Sequence, residues 1–363
     1  MDGLLEFPLA APPAPGEKVF VAPGIWWLRM PLPFALDHIN LWLLEDGEGW
    51  TLIDSGYGSP ETRALWGRIF AESLDGRPLT RIIATHFHPD HIGLAGFLCD
   101  HFGAPFFATE KEWLSARLAR AEEGDDVAAL RTRFARRAGL DPAAALRYAE
   151  RGKAYRRAVP SLPPSYHRLE EGMTLVIAGR RYEVIVGEGH APEHASFYCR
   201  ESRVLIAGDQ VLPKISPNIS LTAQEPEGDP LGRYLSSLDR LGQRVARESL
   251  VLPSHNLPFY GLKERIEALQ RHHLLRCQEV LRACSRPRSA AELLPVLFPR
   301  RLDTHEEGFA LGEALAHLNH LVFQGAIERS ASADGVLCFS AANARLAPGA
   351  RRAQSSPNST FIA

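Results

Sequence analysis

Cysteine is scarce in this sequence and odd in number. The five residues Cys99, Cys199, Cys277, Cys284 and Cys338 are scattered and form no C-x-x-C pair. That excludes a disulfide framework and a cysteine-based zinc finger, and it fits reduced thiols in a cytoplasmic protein. No apolar run approaches the ~18 residues of a membrane-spanning helix. Met1 to Lys18 holds Pro, Ala and acidic residues with no basic segment leading an apolar one, so a signal peptide is not expected and residues 1–18 read as a flexible lead. Net charge is also small. Lys and Arg number 41 against 43 Asp and Glu, a balance of −2, which gives no global basic field to recruit nucleic acid or an anionic membrane. The rest is ordinary for a globular chain: 45% apolar and 23% charged over 363 residues, room for two domains or one with an appendage.

Residues 19–55 alternate short apolar runs with turn residues, and Asp46-Gly47 predicts a hairpin. Ser59-Pro60 predicts the start of a helix over 60–74, and Arg81 to Thr85 a strand that runs into a histidine cluster. Residues 110–165 are rich in Arg and Ala, with apolar residues at helical spacing, and read as a helical insertion. Strand character returns between 174 and 206, then a helix over 230–246 and a strand at 250–252. In 262–340, Leu262, Ile266, Leu269, His273, Cys277, Val280 and Cys284 fall on one helical stripe. Ser289-x-x-Glu292 and Thr304-x-x-Glu307 predict capping boxes of two more helices. Asp334-Gly335 predicts a closing hairpin. Three helices followed by a hairpin is the order of a winged-helix module. The tail 341–363 reads as disordered.

The strongest signal is His86-Phe87-His88-Pro89-Asp90-His91, an H-x-H-x-D-H cluster. Imidazoles at i and i+2 on a strand end point to one side, and Asp90 and His91 at a helix start reach a second position. Further candidates follow predicted strands: Asp54, His190, Asp209 and His255. Ligands gathered at strand ends line one edge of a sheet protein.

On these motifs, in this order, the chain resembles the metallo-β-lactamase superfamily over residues 19–261, and 262–340 resembles the winged-helix appendage of some members. The resemblance implies an αββα sandwich with a helical insertion, a C-terminal winged-helix-like domain and a dinuclear metal site. It implies that His86, His88 and His190 hold a first metal, that Asp90, His91 and His255 hold a second, and that Asp209 bridges them. Asp54 would order the histidines through their far nitrogens. Asp90 and Asp54 are the candidate catalytic residues. His194 reads as a supporting residue rather than a ligand. Two features depart from the family pattern: His255 lies in Ser-His-Asn rather than Gly-His-Gly, and the insertion is long.

Five His and two Asp offer nitrogen and oxygen donors without thiolate. Zn2+ is the expected metal, with Fe and Mn admitted by the same donors. Two metals bridged by a water make it a nucleophile near neutral pH. The expected reaction is hydrolysis of a thioester or ester in a small acyl substrate, as in hydroxyacylglutathione hydrolases. The alternatives are a lactonase or β-lactamase, an endoribonuclease, and a regulator with a DNA-binding winged helix. Lys263 to Arg329 holds ten Lys and Arg against nine Asp and Glu. This near-neutral module argues for packing or self-association, as in a homo-oligomer, over a grip on phosphates. Trp26, Trp27, Pro31, Pro33 and Phe34, with Trp113, Phe134, Tyr148 and Tyr155 of the insertion, are candidates for an apolar wall at the site or for core. Lys214 is a candidate contact for a substrate anion, or a solvated lysine.

Overall fold

A computed structural model describes residues 5–121, 124–150 and 154–342. The unbroken apolar run from Ile39 to Leu44 has a direct cause: its strand is covered on both faces. Successive side chains of strand β3 (His38–Asp46) point to opposite sides. Leu41 and Leu43 enter one core, Trp42 and Leu44 another. The sheet has seven strands in chain order: β1 (Lys18–Ala22), β2 (Ile25–Pro31), β3, β4 (Gly49–Ile53), β5 (Leu79–Ile83), β6 (Phe106–Thr109) and β7 (His167–Leu169). It is antiparallel as far as β4 and parallel beyond. Asp46-Gly47 turns β3 into β4.

The second sheet has the order β12-β11-β10-β9-β8, with β8 (Thr174–Ile177), β9 (Arg180–Gly187), β10 (His194–Cys199), β11 (Val204–Gly208) and β12 (Leu250–Pro253). The β11–β12 pair is parallel and the others antiparallel. The sheets face each other across Trp27, Trp42, Ile53, Val184, Phe197, Ile206 and Leu252. Trp27 and Trp42 stack there with centroids 5.9 Å apart. Helices α1 (Pro60–Glu72), α2 (Pro89–Ile92) and α3 (Ala95–Phe102) accompany the first sheet, and Ser59 caps α1.

The insertion comprises α4 (Glu110–Ala121), α5 (Asp125–Arg137), α6 (Pro142–Glu150) and α7 (Ala154–Ala158). It divides between two cores. Ala116 of α4 joins the first-sheet core, and Tyr155 of α7 packs against it. Ala135 of α5 and Ala145 of α6 instead join the core of the second sheet's outer face. Over that face lie α8 (Pro230–Arg244), α9 (Leu262–Ala283), α10 (Ala290–Leu297) and α11 (Thr304–Phe323), followed by the hairpin β13 (Ile327–Ala331) and β14 (Leu337–Ala341). The result is an αββα sandwich with a C-terminal unit.

The stripe from Leu262 to Val280 is the buried face of α9. Ser289 and Glu292 form the expected capping box of α10. The box expected at Thr304 and Glu307 sits one residue earlier. Asp303 N–H donates to the Glu306 carboxylate, and Glu306 N–H donates to Asp303. An aspartate accepts such bonds as well as a threonine does. Residues 5–18, expected to be loose, are partly tied down: Glu6 pairs with Tyr260, and Phe7 packs on Phe259. Of the expected tail, 343–363 lies outside the described residues, while Ala341 ends β14. All five cysteines are free. Among the described residues no helix is long and apolar enough to cross a membrane.

Residues 262–342 share one continuous core with the sandwich. Leu205 and Val251 of the second sheet, Leu238 of α8, Leu269 of α9, Leu293 of α10, Leu311 of α11 and Phe339 of β14 all belong to it. A chain ending before Leu262 therefore exposes the apolar face of α8 and the sheet behind it. Expression of residues 1–261 is expected to yield aggregated protein on size-exclusion chromatography. A soluble, cooperatively melting fragment would show that the C-terminal unit is an independent addition.

Candidate metal centre

Strands β4, β5, β9, β11 and β12 end at one edge. Pairing direction requires this within each sheet, because β4 and β5 run parallel, β11 and β12 run parallel, and β9 and β11 both oppose β10. The two sheets are bonded together at that edge. Ala195 N–H donates to Thr85 O at 2.8 Å, and Asn40 N–H to Ser254 O at 2.7 Å. The residues after these five strands are Asp54, the His86–His91 loop, His190, Asp209 and His255, so the edge collects every expected ligand.

His86 Nε2 lies 2.9 Å from His88 Nδ1 and 3.2 Å from His190 Nε2. These three nitrogens form one candidate cation site. A second lies at Asp90, His91 and His255. Asp90 Oδ2 is 3.5 Å from both His91 Nε2 and His255 Nε2. Asp209 stands between the groups. Its Oδ2 is 3.5 Å from His190 Nε2 and 3.6 Å from His91 Nε2, and its Oδ1 is 3.4 Å from His255 Nε2.

Each of these imidazoles except His88 is braced through its other nitrogen. His86 Nδ1 meets Thr85 Oγ1 at 3.0 Å, and His91 Nδ1 meets Asp54 Oδ2 at 2.8 Å. His190 Nδ1 is 2.9 Å from Asn218 O, and His255 Nδ1 is 2.7 Å from His38 O. Asp54 also accepts Thr85 N–H at 2.8 Å. It is buried and fully engaged with Thr85 and His91. Asp54 is thus closed off by Thr85 and His91, whereas Asp90 keeps a fifth of its side chain open to solvent. Asp54 holds φ at +62°, a left-handed backbone uncommon outside glycine. His194 behaves as a support: its Nε2 accepts Asp209 N–H at 3.0 Å. Gly208 is needed there, because a Cβ would lie 2.4 Å from that nitrogen and φ is +56°.

Burial holds the His86 and His88 pKa values well below the ordinary imidazole range, and neighbouring rings add to this. Burial would do the same to His91, but Asp90, Asp54 and Asp209 outweigh it and hold His91 well above that range. Asp209 is held well below the carboxylate range. Burial opposes this, and the adjacent His255 and His91 outweigh it. Burial takes His194 down to about 3.

The donor set fits divalent cations. Buried His91 Nε2 and Asp209 Oδ1 have no hydrogen-bond partner. Leaving such a group unsatisfied costs about 1–3 kcal/mol. Three nitrogens and a shared carboxylate converging without thiolate suit Zn2+, Fe or Mn.

The Metallo-beta-lactamase superfamily model matches residues 35–255, the span that carries these His and Asp residues. The chain belongs to this superfamily. A model of the metallo-beta-lactamase-like C-terminal domain matches residues 277–342. Among solved structures, a beta-lactamase domain protein from Burkholderia ambifaria is 45% identical with a TM-score of 0.85, over 93% of this chain and 98% of that one. A probable metallo-hydrolase, YqjP of Bacillus subtilis, is 27% identical over 83% of this chain and 92% of its own length. The acyl-coenzyme A thioesterase MBLAC2 of Gallus gallus is 29% identical over 64% of this chain and 77% of its own. The chain is a hydrolase of the metallo-beta-lactamase superfamily.

A cavity of about 820 Å³ opens from His88 and His190 toward the insertion. Tyr148 and Tyr155 line it, as expected of the insertion. The rest of the expected wall lies elsewhere. Trp27 is core, Trp26 bonds Glu45, Trp113 stacks on Tyr166, and Phe34 meets Tyr57 edge-on. Phe134 packs toward the C-terminal helices. Lys214 is exposed and outside the cavity lining, where Lys111, Arg131 and Arg233 stand instead. His273 Nδ1 lies 3.3 Å from His317 Nε2, and no metal-ligand trio forms there among the described residues. Sequence reasoning passed over Thr85, Glu112 and the carbonyls of His38 and Asn218. Only Thr85, next to the cluster, gave any local signal.

Purified protein is expected to retain about two divalent ions per chain without cysteine ligation. His255→Ala should retain about one, and Asp209→Ala fewer still, because Asp209 faces both groups. Elemental analysis of gel-filtered protein measures this. Equal metal content in all three would contradict the shared position of Asp209.

Proposed function

We propose that the chain hydrolyses the thioester or ester carbonyl of a small acyl substrate. The observation that carries this reading is the cavity that begins at His88 and His190 and is walled by Phe87, Leu118, Tyr148 and Tyr155. An apolar wall beside the histidines suits an acyl chain. The similarity to an acyl-coenzyme A thioesterase supports the same class.

His86, His88 and His190 would hold one cation and Asp90, His91 and His255 the other, with Asp209 facing both. Zn2+ is the proposed ion at each site. Such a pair, when bound, lowers the pKa of water and polarises a carbonyl. The chain supplies position and proton handling. Asp54, Thr85, Asn218 O and His38 O hold the rings, and His194 holds the Asp209 loop. Asp90, partly open to solvent, receives the proton released as water adds to the carbonyl carbon. Collapse then breaks the bond to the thiolate or alkoxide and frees the carboxylic acid. A thiolate leaves readily, so the thioester asks least of a general acid.

The test is a panel of thioesters, esters, lactones, a β-lactam and RNA, assayed with metal-loaded full-length protein. Thioesters are expected to give the highest kcat/KM, and a strong chelator should abolish turnover. Faster hydrolysis of a lactone, the β-lactam or RNA would overturn the thioester reading. A second measurement addresses the wall. Leu118 is half exposed on α4 inside the cavity. Leu118→Trp should lower kcat/KM for long acyl chains about tenfold while leaving short ones unchanged. An unaltered chain-length profile would remove the insertion from substrate selection.

A further inference from the structure

The loops bearing the first three histidines are braced by helices that carry no ligand. Glu112 of α4 has no exposed surface. Its Oε2 accepts Phe87 N–H at 2.9 Å, and its Oε1 accepts Glu193 N–H at 2.6 Å. Phe87 lies between His86 and His88, and Glu193 lies between His190 and His194. On the far side of the same peptide segment, Tyr155 O–H of α7 donates to Phe87 O at 2.6 Å. Both backbone groups of Phe87 are therefore held by the insertion.

This arrangement is costly. A carboxylate is among the most expensive groups to bury, and an isolated one neutralises instead. Burial here pushes Glu112 up to about 7, against the pull of its two N–H donors. Lys111, the adjacent cation, pairs with Glu193 rather than with Glu112. Two backbone N–H groups could be satisfied by water or by neutral side chains. A carboxylate does something they cannot. Its two oxygens lie on one rigid plane, so it sets the distance between the 86–91 and 190–194 loops, whose His86 and His190 nitrogens stand 3.2 Å apart.

We propose that Glu112 is a positioning residue of the metal centre, fixing the separation of the two histidine loops while Tyr155 locks Phe87 from the other side. The proposal rests on the reading of His86, His88 and His190 as ligands. On this view α4 and α7 shape the metal centre as well as the substrate cavity. Glu112→Gln keeps the shape but sets an amide NH2 against one of the two N–H donors, so one bond becomes a repulsive contact. Tyr155→Phe removes a single hydroxyl and keeps the ring against the core.

The experiment uses full-length apo protein titrated with Co2+, for wild type, Glu112→Gln and Tyr155→Phe. It reads affinity by competition with a chromophoric chelator, ligand geometry from the visible absorption bands, and fold from circular dichroism without metal. Glu112→Gln is expected to keep the apo spectrum, lose about 10- to 100-fold in Co2+ affinity and shift the visible bands. Tyr155→Phe should move both readouts in the same direction by less. Wild-type affinity and bands in a folded Glu112→Gln overturn the brace and leave the ligand assignment standing. If Glu112→Gln does not fold, Tyr155→Phe decides: weakened binding supports the brace, and unchanged binding and bands overturn it. Wild-type protein that takes up no Co2+ overturns the ligand assignment itself, and the brace with it.

Discussion

Convergent lone pairs repel, and the edge between the two sheets brings five imidazoles and two carboxylates together with their free atoms facing inward. The attraction of Asp90 and Asp209 for His91 and His255 offsets only part of that repulsion. The restraint comes from behind, through bonds from Thr85, Asp54, Asn218 O and His38 O to the outer nitrogens. Two of these braces are backbone carbonyls, so the site depends on loop paths as much as on its own side chains. The sandwich supplies those paths by bonding its sheets edge to edge at Thr85 and Asn40.

Local strain accumulates where this restraint is tightest. Asp54 and Asn256, beside His91 and His255 respectively, both have left-handed backbones, at φ +62° and +68°. Gly189, next to His190, has φ +98° and faces Pro230 O and Tyr234, with no room for a Cβ. Such conformations persist only where surrounding structure over-determines them. Here that structure is a pair of fully packed sheets and α8. The energetic burden of the site is spread into the cores on either side.

The insertion and the C-terminal unit are extensions of those cores. α4 and α7 join the first-sheet core, whereas α5 and α6 join the core shared by α8 to α11. The cavity lies between these attachments and inherits its wall from both, with Tyr155 from α7 and Leu221 from the loop ahead of α8. The cavity wall and the histidine loops thus draw on overlapping parts of the chain. Glu112 and Tyr155 hold the backbone between His86 and His88, while Leu118 stands on the cavity wall.

Much was legible from residues alone. Two-residue alternation in a doubly covered sheet leaves an apolar run that can be read without a structure. Histidine is rare enough that an H-x-H-x-D-H cluster stands out. Asp54, His190, Asp209 and His255 each follow a strand that can be recognised locally. The buried stripe of α9 and the cap of α10 are local too, because helix periodicity and capping act within a few residues. What the sequence could not determine was which aromatic residues pack in the core and which line the cavity. Trp27 and Tyr148 look equally apolar on the page. Their fates were decided by the register of β2 on β3 and by where α6 attaches. Nor could it reveal Glu112, an ordinary glutamate in an amphipathic segment, whose partners Phe87 and Glu193 lie 25 and 81 residues away. Contacts between distant segments leave no periodicity and no motif; only packing the two sheets and the insertion together brings a buried carboxylate to two backbone amides.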